Sequence, residues 1–196
     1  SYYSARWGQY LMNQDHCITT HADLIRRKDW FYDEIGDIDA IFVRPVSNDK
    51  VFTGRLVYWD EFDKMITHMG CSVSQGFAPE MLVVVASPLN IVREWRFAIV
   101  DRKVVSFSKY GMYARVGEDA KQQEAIEMAN AIAQDAWQPD DAYALDLALT
   151  RGGRVAMLEI GSINSAGWYD MDCTKIVEAF EGLRQKYEKE NALDKI

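Results

Sequence analysis

Apolar and polar residues alternate along two stretches in the C-terminal half of the chain, a pattern typical of β-hairpins. The first stretch, 93–108, has its turn at Asp101-Arg102. The second, 143–160, has its turn at Gly152-Gly153, which suits a two-residue turn because both central residues need positive φ. The pattern predicts antiparallel strands with one apolar face directed to a core.

Apolar runs and helical spacing predict the other elements. Strands are expected at 40–44, 52–58 and 81–86. Apolar residues spaced by three and four predict helices at 22–32, 60–69, 119–136 and 172–188. In the last helix the stripe expected to face the core is Ile176, Val177, Phe180, Leu183 and Tyr187. Hairpins mixed with helices, without regular βαβ alternation, indicate an α+β fold with antiparallel sheet.

Two acids oppose each other in the second predicted hairpin. With the turn at Gly152-Gly153, Asp146 pairs directly with Glu159, on the face opposite the leucines. Like charges in directly opposed positions repel, with Cβ atoms roughly 4.5–5.5 Å apart, so a cation between them is expected. A divalent metal with oxygen ligands meets that need, and Asn164 adds a neutral oxygen. The alternative is that both acids are solvated on an open sheet face.

Three basic residues are candidates for binding an anion. Arg44 ends a predicted strand directly before Pro45, and its planar guanidinium can grip two phosphate oxygens at once. Lys50 lies in a short polar loop. Arg96 lies on the polar face of the first hairpin, where the alternative is a surface pair with Glu94 or a neighbour. The chain contains neither a Walker A motif nor GxGxxG, which argues against P-loop and Rossmann folds.

Composition limits the class of protein. The chain has 196 residues, 48% of them apolar, and a net charge of −8. One domain, or a domain with an appendage, is expected, and a general nucleic-acid surface, which is normally basic, is not. Three cysteines without CxxC are typical of free thiols in a reducing compartment. No apolar run reaches the ~20 residues of a membrane helix, and no signal peptide is visible. We therefore expect a cytoplasmic protein that does not bind membranes.

Six short segments occur in an order that resembles the ATP-grasp superfamily. They are Ile41-Phe-Val-Arg44-Pro45, Lys50-Val-Phe52-Thr-Gly54, Ala86-Ser87-Pro88, Arg93-Glu94-Trp95-Arg96, Leu145-Asp146-Leu147 and Leu158-Glu159-Ile160. The resemblance covers about 40–170. More narrowly, the chain resembles the clade named for two arginines and a lysine, many of whose members come from phages. Arg44, Arg96 and Lys50 match these signature residues.

The resemblance implies an ATP-grasp fold, in which two α+β subdomains with antiparallel sheets and flanking helices sandwich a nucleotide. We expect the ATP-grasp domain at 40–196, with subdomains at about 40–86 and 87–196. Residues 1–39 would be a short or truncated N-terminal segment in place of a larger preATP-grasp domain. The start at Ser1 rather than Met is expected of a processed or trimmed chain.

The resemblance also implies roles for individual residues. Arg44 and Lys50 would hold ATP phosphates, and Arg96 the transferred or β/γ-phosphate. Arg115 would be a further phosphate-facing arginine, so Arg96, Lys50 and Arg115 are the candidate catalytic residues. The nucleotide would also contact Val85, Ala86, Ser87, Leu89 and Glu94, the first four through a hinge that reads adenine. Mg²⁺ would be held by Asp146, Glu159 and Asn164. The superfamily usually has asparagine two residues after the second acid, where this chain has Gly161.

The leading functional hypothesis is an ATP- and Mg²⁺-dependent ligase that joins a carboxylate to an amine-type nucleophile through an acylphosphate. Its partners would be ATP and an unidentified substrate, with peptides and proteins among the candidates. A small-molecule kinase and a non-catalytic nucleotide-binding interaction protein, active in the host cytoplasm if phage-encoded, are the alternatives. A calcium module without nucleotide is a weaker option, since it leaves Arg44, Lys50 and Arg96 without a shared purpose.

Overall fold

The computed structural model describes residues 4–35, 39–47, 52–71, 79–110 and 119–193. The helices are α1 (Ser4–Trp7), α2 (His21–Arg26), α3 (Lys28–Glu34), α4 (Phe62–Cys71), α5 (Asp119–Gln134) and α6 (Cys173–Leu193). The strands are β1 (Cys17–Thr20), β2 (Ala40–Pro45), β3 (Arg55–Tyr58), β4 (Leu82–Ala86), β5 (Ile91–Val100), β6 (Lys103–Tyr110), β7 (Ala142–Thr150) and β8 (Val155–Ser162). Short 3-10 helices occur at Gly8–Tyr10, Trp59–Glu61 and Ile163–Ser165. Among the described helices, none combines the length and the apolar composition that a membrane crossing requires.

The chain forms two compact units, and each contains one four-stranded antiparallel sheet. The first unit includes Asn13–Leu89, and the second includes Ala5–Met12 together with Asn90–Ile196. The strand order is β1-β4-β2-β3 in the first sheet and β6-β5-β7-β8 in the second. Sheets with flanking helices confirm the predicted α+β class.

In the first unit, alternate residues of the central strands form the core. Ile41, Val43, Val83 and Val85 pack in one buried cluster with residues of α2, α3 and α4, namely Leu24, Phe31, Phe62 and Ile66. Arg44 points to the other face of this sheet, because alternate residues of a strand face opposite sides. It lies in register with Val84 of β4, which is in turn in register with Ile18 of β1.

Two predictions for the first unit need correction, and one strand was not predicted. The helix expected at 22–32 is two helices, because the backbone leaves helical geometry at Arg27 (φ −110°, ψ 28°). The strand expected at 52–58 begins only at Arg55. Strand β1 was not predicted: it has four residues, and its pairing with β4 identifies it. Short segments of this kind depend on their partner strand more than on their own residues.

In the second unit, the first predicted hairpin is confirmed. Asp101 and Arg102 have φ of 45° and 62°, the geometry of a two-residue turn between β5 and β6. Helix α6 packs through Ile176 and Leu183, which lie in one buried cluster with Ala98 and other residues. The predicted stripe of α6 is therefore only partly correct. Two of its members, Val177 and Tyr187, are 60% and 40% exposed.

The second predicted hairpin forms with a different turn. Thr150 N–H donates to the carbonyl of Arg154 at 2.9 Å, so residues 151–153 form a three-residue loop rather than the predicted two-residue turn. Gly153 has φ +84°, which completes such a loop. A register shift between Asp146 and Leu147 then restores the predicted pair, and Asp146 lies opposite Glu159. The bulge compensates for the longer turn.

Candidate functional site

A polar row crosses all four strands of the second sheet. Ser108 of β6 lies opposite Arg96 of β5, Arg96 opposite Asp146 of β7, and Asp146 opposite Glu159 of β8. Directly paired residues share one face of an antiparallel sheet. The other face is apolar and buried, with Trp95, Phe97, Leu145 and Leu147 fully shielded from solvent. The row therefore lies on the face of this sheet opposite these buried apolar side chains.

Arg96 and Asp146 form a two-pronged ion pair within this row. Nε of Arg96 donates to Oδ1 of Asp146 at 2.8 Å, and Nη2 donates to Oδ2 at 2.7 Å. The two side chains are only 14% and 3% exposed. Parallel, charge-assisted hydrogen bonds of this geometry are among the strongest in proteins, especially when shielded from water. The negative charge of Asp146 is therefore compensated by Arg96 of the neighbouring strand β5.

This ion pair adds a cation that the argument for a metal between the two acids did not include. The Arg96 guanidinium lies beside Asp146, and the assignment of Mg²⁺ to Asp146, Glu159 and Asn164 stays a prediction. Glu159, in contrast to Asp146, is exposed. The expectation that Arg96 pairs with Glu94 is also incomplete, because its two-pronged partner is Asp146 on the adjacent strand. The structure thus links a residue predicted to bind phosphate with one predicted to bind metal.

The donor set suits a nucleotide-bound Mg²⁺ better than a metal cage made of protein alone. In the described part of the chain, no three His, Cys, Asp or Glu side chains are grouped to hold a metal ion. Mg²⁺ in nucleotide enzymes needs only one or two carboxylates, because phosphates and water supply the other oxygens. The exposed carboxylate of Glu159 fits this requirement. Asn164 is also exposed, and its Oδ1 accepts a hydrogen bond from the Ser162 hydroxyl at 2.6 Å.

Residues after β8 contribute contacts that the sequence did not reveal. Nη1 of Arg96 donates to the carbonyl of Gly167 at 3.3 Å, and the Tyr169 ring lies 5.5 Å from the guanidinium. Ser108 Oγ accepts from the N–H of Asp170 at 3.2 Å. The alternation of serines in β6 was a usable signal for Ser108, since it places them on the face of Arg96. No local pattern signalled Tyr169.

In the first unit, Arg44 is a partly buried residue beside Gly54. A Cβ at Gly54 would lie 3.1 Å from Cβ of Arg44 and 2.8 Å from the ring of Phe42. The glycine therefore allows the segment before β3 to approach Arg44 closely. Two other predicted basic residues, Lys50 and Arg115, lie outside the described residues.

The predicted adenine hinge belongs to the end of β4 and the segment after it. Val85 and Ala86 are buried, and the side chain of Leu89 is 43% exposed. The Ser87 carbonyl accepts from Nδ2 of Asn13 at 2.9 Å, and its hydroxyl donates to a carbonyl of the first unit, that of Ile35. These two bonds therefore hold the segment after β4 within the first unit.

Strand β5 carries the remaining predicted residue. Glu94 is partly buried and lies on the same face as Arg96, two residues away along the strand. Arg93, its neighbour in sequence, is buried on the opposite face, and this burial lowers the pKa of its guanidinium. The structure thus brings Arg96, Asp146 and Glu159 together in one row, with Glu94 adjacent to it.

Comparison with known families identifies most of the chain. One family model matches residues 25–179, and it describes the ATP-grasp domain of family 2 in the clade named for two arginines and a lysine. Among curated proteins, none matches this chain.

Solved structures of similar fold include three proteins with 14–17% sequence identity, a level that shows likeness of fold alone. The RimK domain ATP-grasp protein from Sphaerobacter thermophilus DSM 20745 has a TM-score of 0.53 and 15% identity, over 81% of this chain and 55% of its own. D-alanine–D-alanine ligase from Bacillus anthracis with ATP has a TM-score of 0.52 and 17% identity, over 82% and 51%. The ATP-grasp ligase PsnB with minimal precursor has a TM-score of 0.51 and 14% identity, over 86% and 54%. The chain thus spans about half the length of these structures.

Proposed function

Because the chain belongs to family 2 of the ATP-grasp clade named for two arginines and a lysine, we propose that it is an ATP-dependent ligase that joins a carboxylate to an amine-type nucleophile. The observation that supports this function best is the row of Arg96, Asp146 and Glu159 on one sheet face. The row combines a fixed positive group with an exposed carboxylate, as the transfer of a phosphoryl group from Mg·ATP requires.

The proposed reaction has two steps. A substrate carboxylate oxygen attacks the γ-phosphorus of ATP, and the bond to the bridging oxygen breaks to release ADP. An amine nitrogen then attacks the carbonyl carbon of the acylphosphate, inorganic phosphate leaves, and the nitrogen loses its proton to give an amide. Neither step needs a covalent bond to the protein, so the protein acts by positioning groups and by neutralising charge.

Within this proposal, individual residues hold separate parts of the nucleotide. Arg96 places positive charge beside the transferred phosphate, and Asp146 fixes the orientation of its guanidinium. Glu159 and Asn164, with Asp146 as the third proposed ligand, would hold Mg²⁺, which when bound neutralises charge on the phosphate oxygens. Other proposed nucleotide contacts are Arg44, Lys50, Arg115, Glu94 and the hinge residues Val85, Ala86, Ser87 and Leu89.

The substrate class is tested with a panel. PsnB, a ligase of similar fold, has been solved with a minimal precursor, and another is a D-alanine–D-alanine ligase. We therefore propose amino acids and short peptides as the first probes. The full chain is incubated with Mg·ATP and each probe, and ADP, phosphate and condensation products are measured by enzyme-coupled assay and mass spectrometry.

The outcomes separate the competing functions. ADP and phosphate released together with an amide product support the ligase. ADP with a stable phosphorylated probe and no free phosphate indicates a kinase. Calorimetric binding of Mg·ATP without any ADP release with the panel indicates a nucleotide-binding protein without turnover. Absence of nucleotide binding would contradict all three.

Glu159→Gln tests the row directly. Because Glu159 is exposed, the substitution should leave the fold unchanged. It should lower kcat by about 100-fold, since it removes a carboxylate proposed to hold Mg²⁺. Turnover of ATP to ADP gives kcat, and circular dichroism checks the fold. Glu178→Gln, an exposed glutamate of α6, is the matched control. Wild-type turnover in Glu159→Gln would exclude a role for this carboxylate.

A further inference from the structure

Residues 166–172 connect the 3-10 helix at Ile163–Ser165 to α6 and are bonded to side chains of the second sheet. Three of their main-chain groups take part: Gly167 O with Nη1 of Arg96 at 3.3 Å, Asp170 N–H with Oγ of Ser108 at 3.2 Å, and Asp172 N–H with Oγ of Ser106 at 2.9 Å. All three side chains lie on the face of the polar row. The segment is therefore attached to the same surface as the proposed phosphate site.

Tyr169 has an unusual conformation within this segment. Its φ is +46°, and its side chain is 57% exposed. A left-handed conformation is unfavourable for a non-glycine residue and persists only where the surroundings fix it. Burial does not explain it here. One restraint is the Arg96 guanidinium, which lies 5.5 Å from the ring centroid. Gly167 also lies close to this ring, since a Cβ built on it would be 3.4 Å from the ring.

Arg96 therefore has two sets of partners on one rigid group. Nε and Nη2 bond Asp146, while Nη1 bonds Gly167 and the guanidinium carbon lies over the Tyr169 ring. Because the guanidinium is planar and rigid, a movement that changes one set of contacts changes the other. Phosphate oxygens form the same two-pronged hydrogen bonds as a carboxylate, so a bound phosphate would compete for this group.

We propose that Arg96, besides its proposed role at the phosphate, couples nucleotide binding to residues 166–172. Binding of a phosphate beside the guanidinium would alter its bond to Gly167 and its contact with Tyr169, and with them the ordering of the segment. The inference rests on the proposed function, because it requires a nucleotide phosphate at Arg96. It adds that residues 166–172, which follow β8, respond to the bound nucleotide through Arg96.

The test measures hydrogen exchange of individual amides by NMR on the full chain. Spectra are compared with and without Mg²⁺ and a non-hydrolysable ATP analogue, whose binding is measured separately by calorimetry. In the wild type, exchange of the Asp170 and Asp172 amides should change by about fivefold or more on nucleotide binding, the lower range of typical site-to-site coupling. In Arg96→Lys at saturating nucleotide, this response should disappear, because an ammonium cannot bond Asp146 and Gly167 as a planar fork does.

Two further variants keep the test decisive. Tyr169→Ala retains the Arg96–Asp146 pair and should bind the analogue within about twofold of wild type while losing most of the response; Tyr169→Phe should retain it. This pair carries the test if Arg96→Lys does not bind nucleotide. Arg102→Lys is the matched control, since the Arg102 guanidinium bonds carbonyls at the end of α5, among them that of Gln134 at 2.9 Å. In this variant the change in exchange at Asp170 and Asp172 on nucleotide binding should equal that of wild type.

The failures are distinguishable. Bound analogue without a change at Asp170 and Asp172 in the wild type would overturn the coupling and leave the proposed function standing. A wild-type response in both Arg96→Lys and Tyr169→Ala would overturn it as well. Absence of binding in the wild-type calorimetry would overturn the proposed function, and the coupling with it.

Discussion

Arg96 and Asp146 form the ion pair on which the charge balance of the candidate site depends. Because both side chains are largely shielded from water, each would be costly to bury without the other. Asp146 therefore differs in kind from Glu159, although the two lie opposite each other. A substitution at Glu159 tests chemistry, whereas a substitution at Asp146 also tests stability.

Asp146→Asn should lower the free energy of unfolding by about 3–5 kcal/mol, because it removes the charge that compensates a shielded guanidinium. Urea denaturation followed by circular dichroism measures this loss. The matched control is Glu178→Gln in α6, an exposed site where a change of at most about 0.5 kcal/mol is expected.

A double substitution separates the pair from the site as a whole. Arg96→Met combined with Asp146→Leu should cost less than the sum of the two single substitutions, because neither variant residue leaves an uncompensated charge. Strict additivity in this cycle would show that the two-pronged contact contributes nothing to stability.

Among the elements, α6 shows how much of a long helix is solvated. Its residues beyond Leu183 are exposed as far as they are described, and ion pairs on its surface replace core packing. Arg184 Nη2 bonds Oε1 of Glu181 at 2.6 Å, one turn away along the helix. Hydrogen bonding to Arg184 lowers the pKa of Glu181 to about 2.

This helix should therefore show a defined pH dependence. Since the folded-state pKa of Glu181 lies below its ordinary value of 4.5, its contribution to stability is fully present above about pH 4.5 and is lost as the pH falls through about 2. A carbon-13 NMR titration of the Glu181 carboxyl measures the pKa. Arg184→Gln should return it towards 4.5, and an unchanged pKa in that variant would contradict the assignment to Arg184.

In the molecule as a whole, the second unit is not continuous in sequence. Ala5–Met12 belongs to it, although the chain between Asn13 and Leu89 forms the first unit. Trp7 is fully buried, with its ring centroid 5.0 Å from that of Trp137 and 6.3 Å from that of Tyr143. Arg154 holds the same segment by donating to the carbonyls of Leu11 and Met12 at 2.7 and 3.1 Å.

Trp7→Ala should destabilise the second unit by about 3–5 kcal/mol, the usual cost of removing a buried tryptophan. Hydrogen exchange resolved by mass spectrometry should show faster exchange in β5 to β8 than in wild type. Trp30→Ala, at a position in the first unit that is 38% exposed, is the matched control. Equal acceleration in both units of Trp7→Ala would contradict the assignment of this segment to the second unit.

Much of the fold follows from local patterns. The turn residues Asp101-Arg102, the alternating faces of β5 to β7 and the spacing of α5 predicted these elements, because hairpin turns and amphipathic faces are encoded by neighbouring residues. The faces of β8 were predicted only in part, because the register shift places Val155 and Met157 opposite Leu149 and Leu147. The order of six short segments indicated the ATP-grasp superfamily, which the match over residues 25–179 confirms. The roles assigned to individual site residues stay predictions.

The sequence by itself determined that Asp146 and Glu159 belong to the two strands of one hairpin, and it predicted that they lie opposite each other. The structure has that pair, but through a three-residue loop and a compensating bulge that the pattern did not predict. Only the tertiary structure decided that Arg96 is the cation beside Asp146, because that contact depends on the pairing of β5 with β7, fifty residues apart. Pairing between distant strands depends on which surfaces pack together, and no local pattern records that choice. The same holds for β1, for the placement of Trp7 in the second unit, and for the Tyr169 ring over the guanidinium.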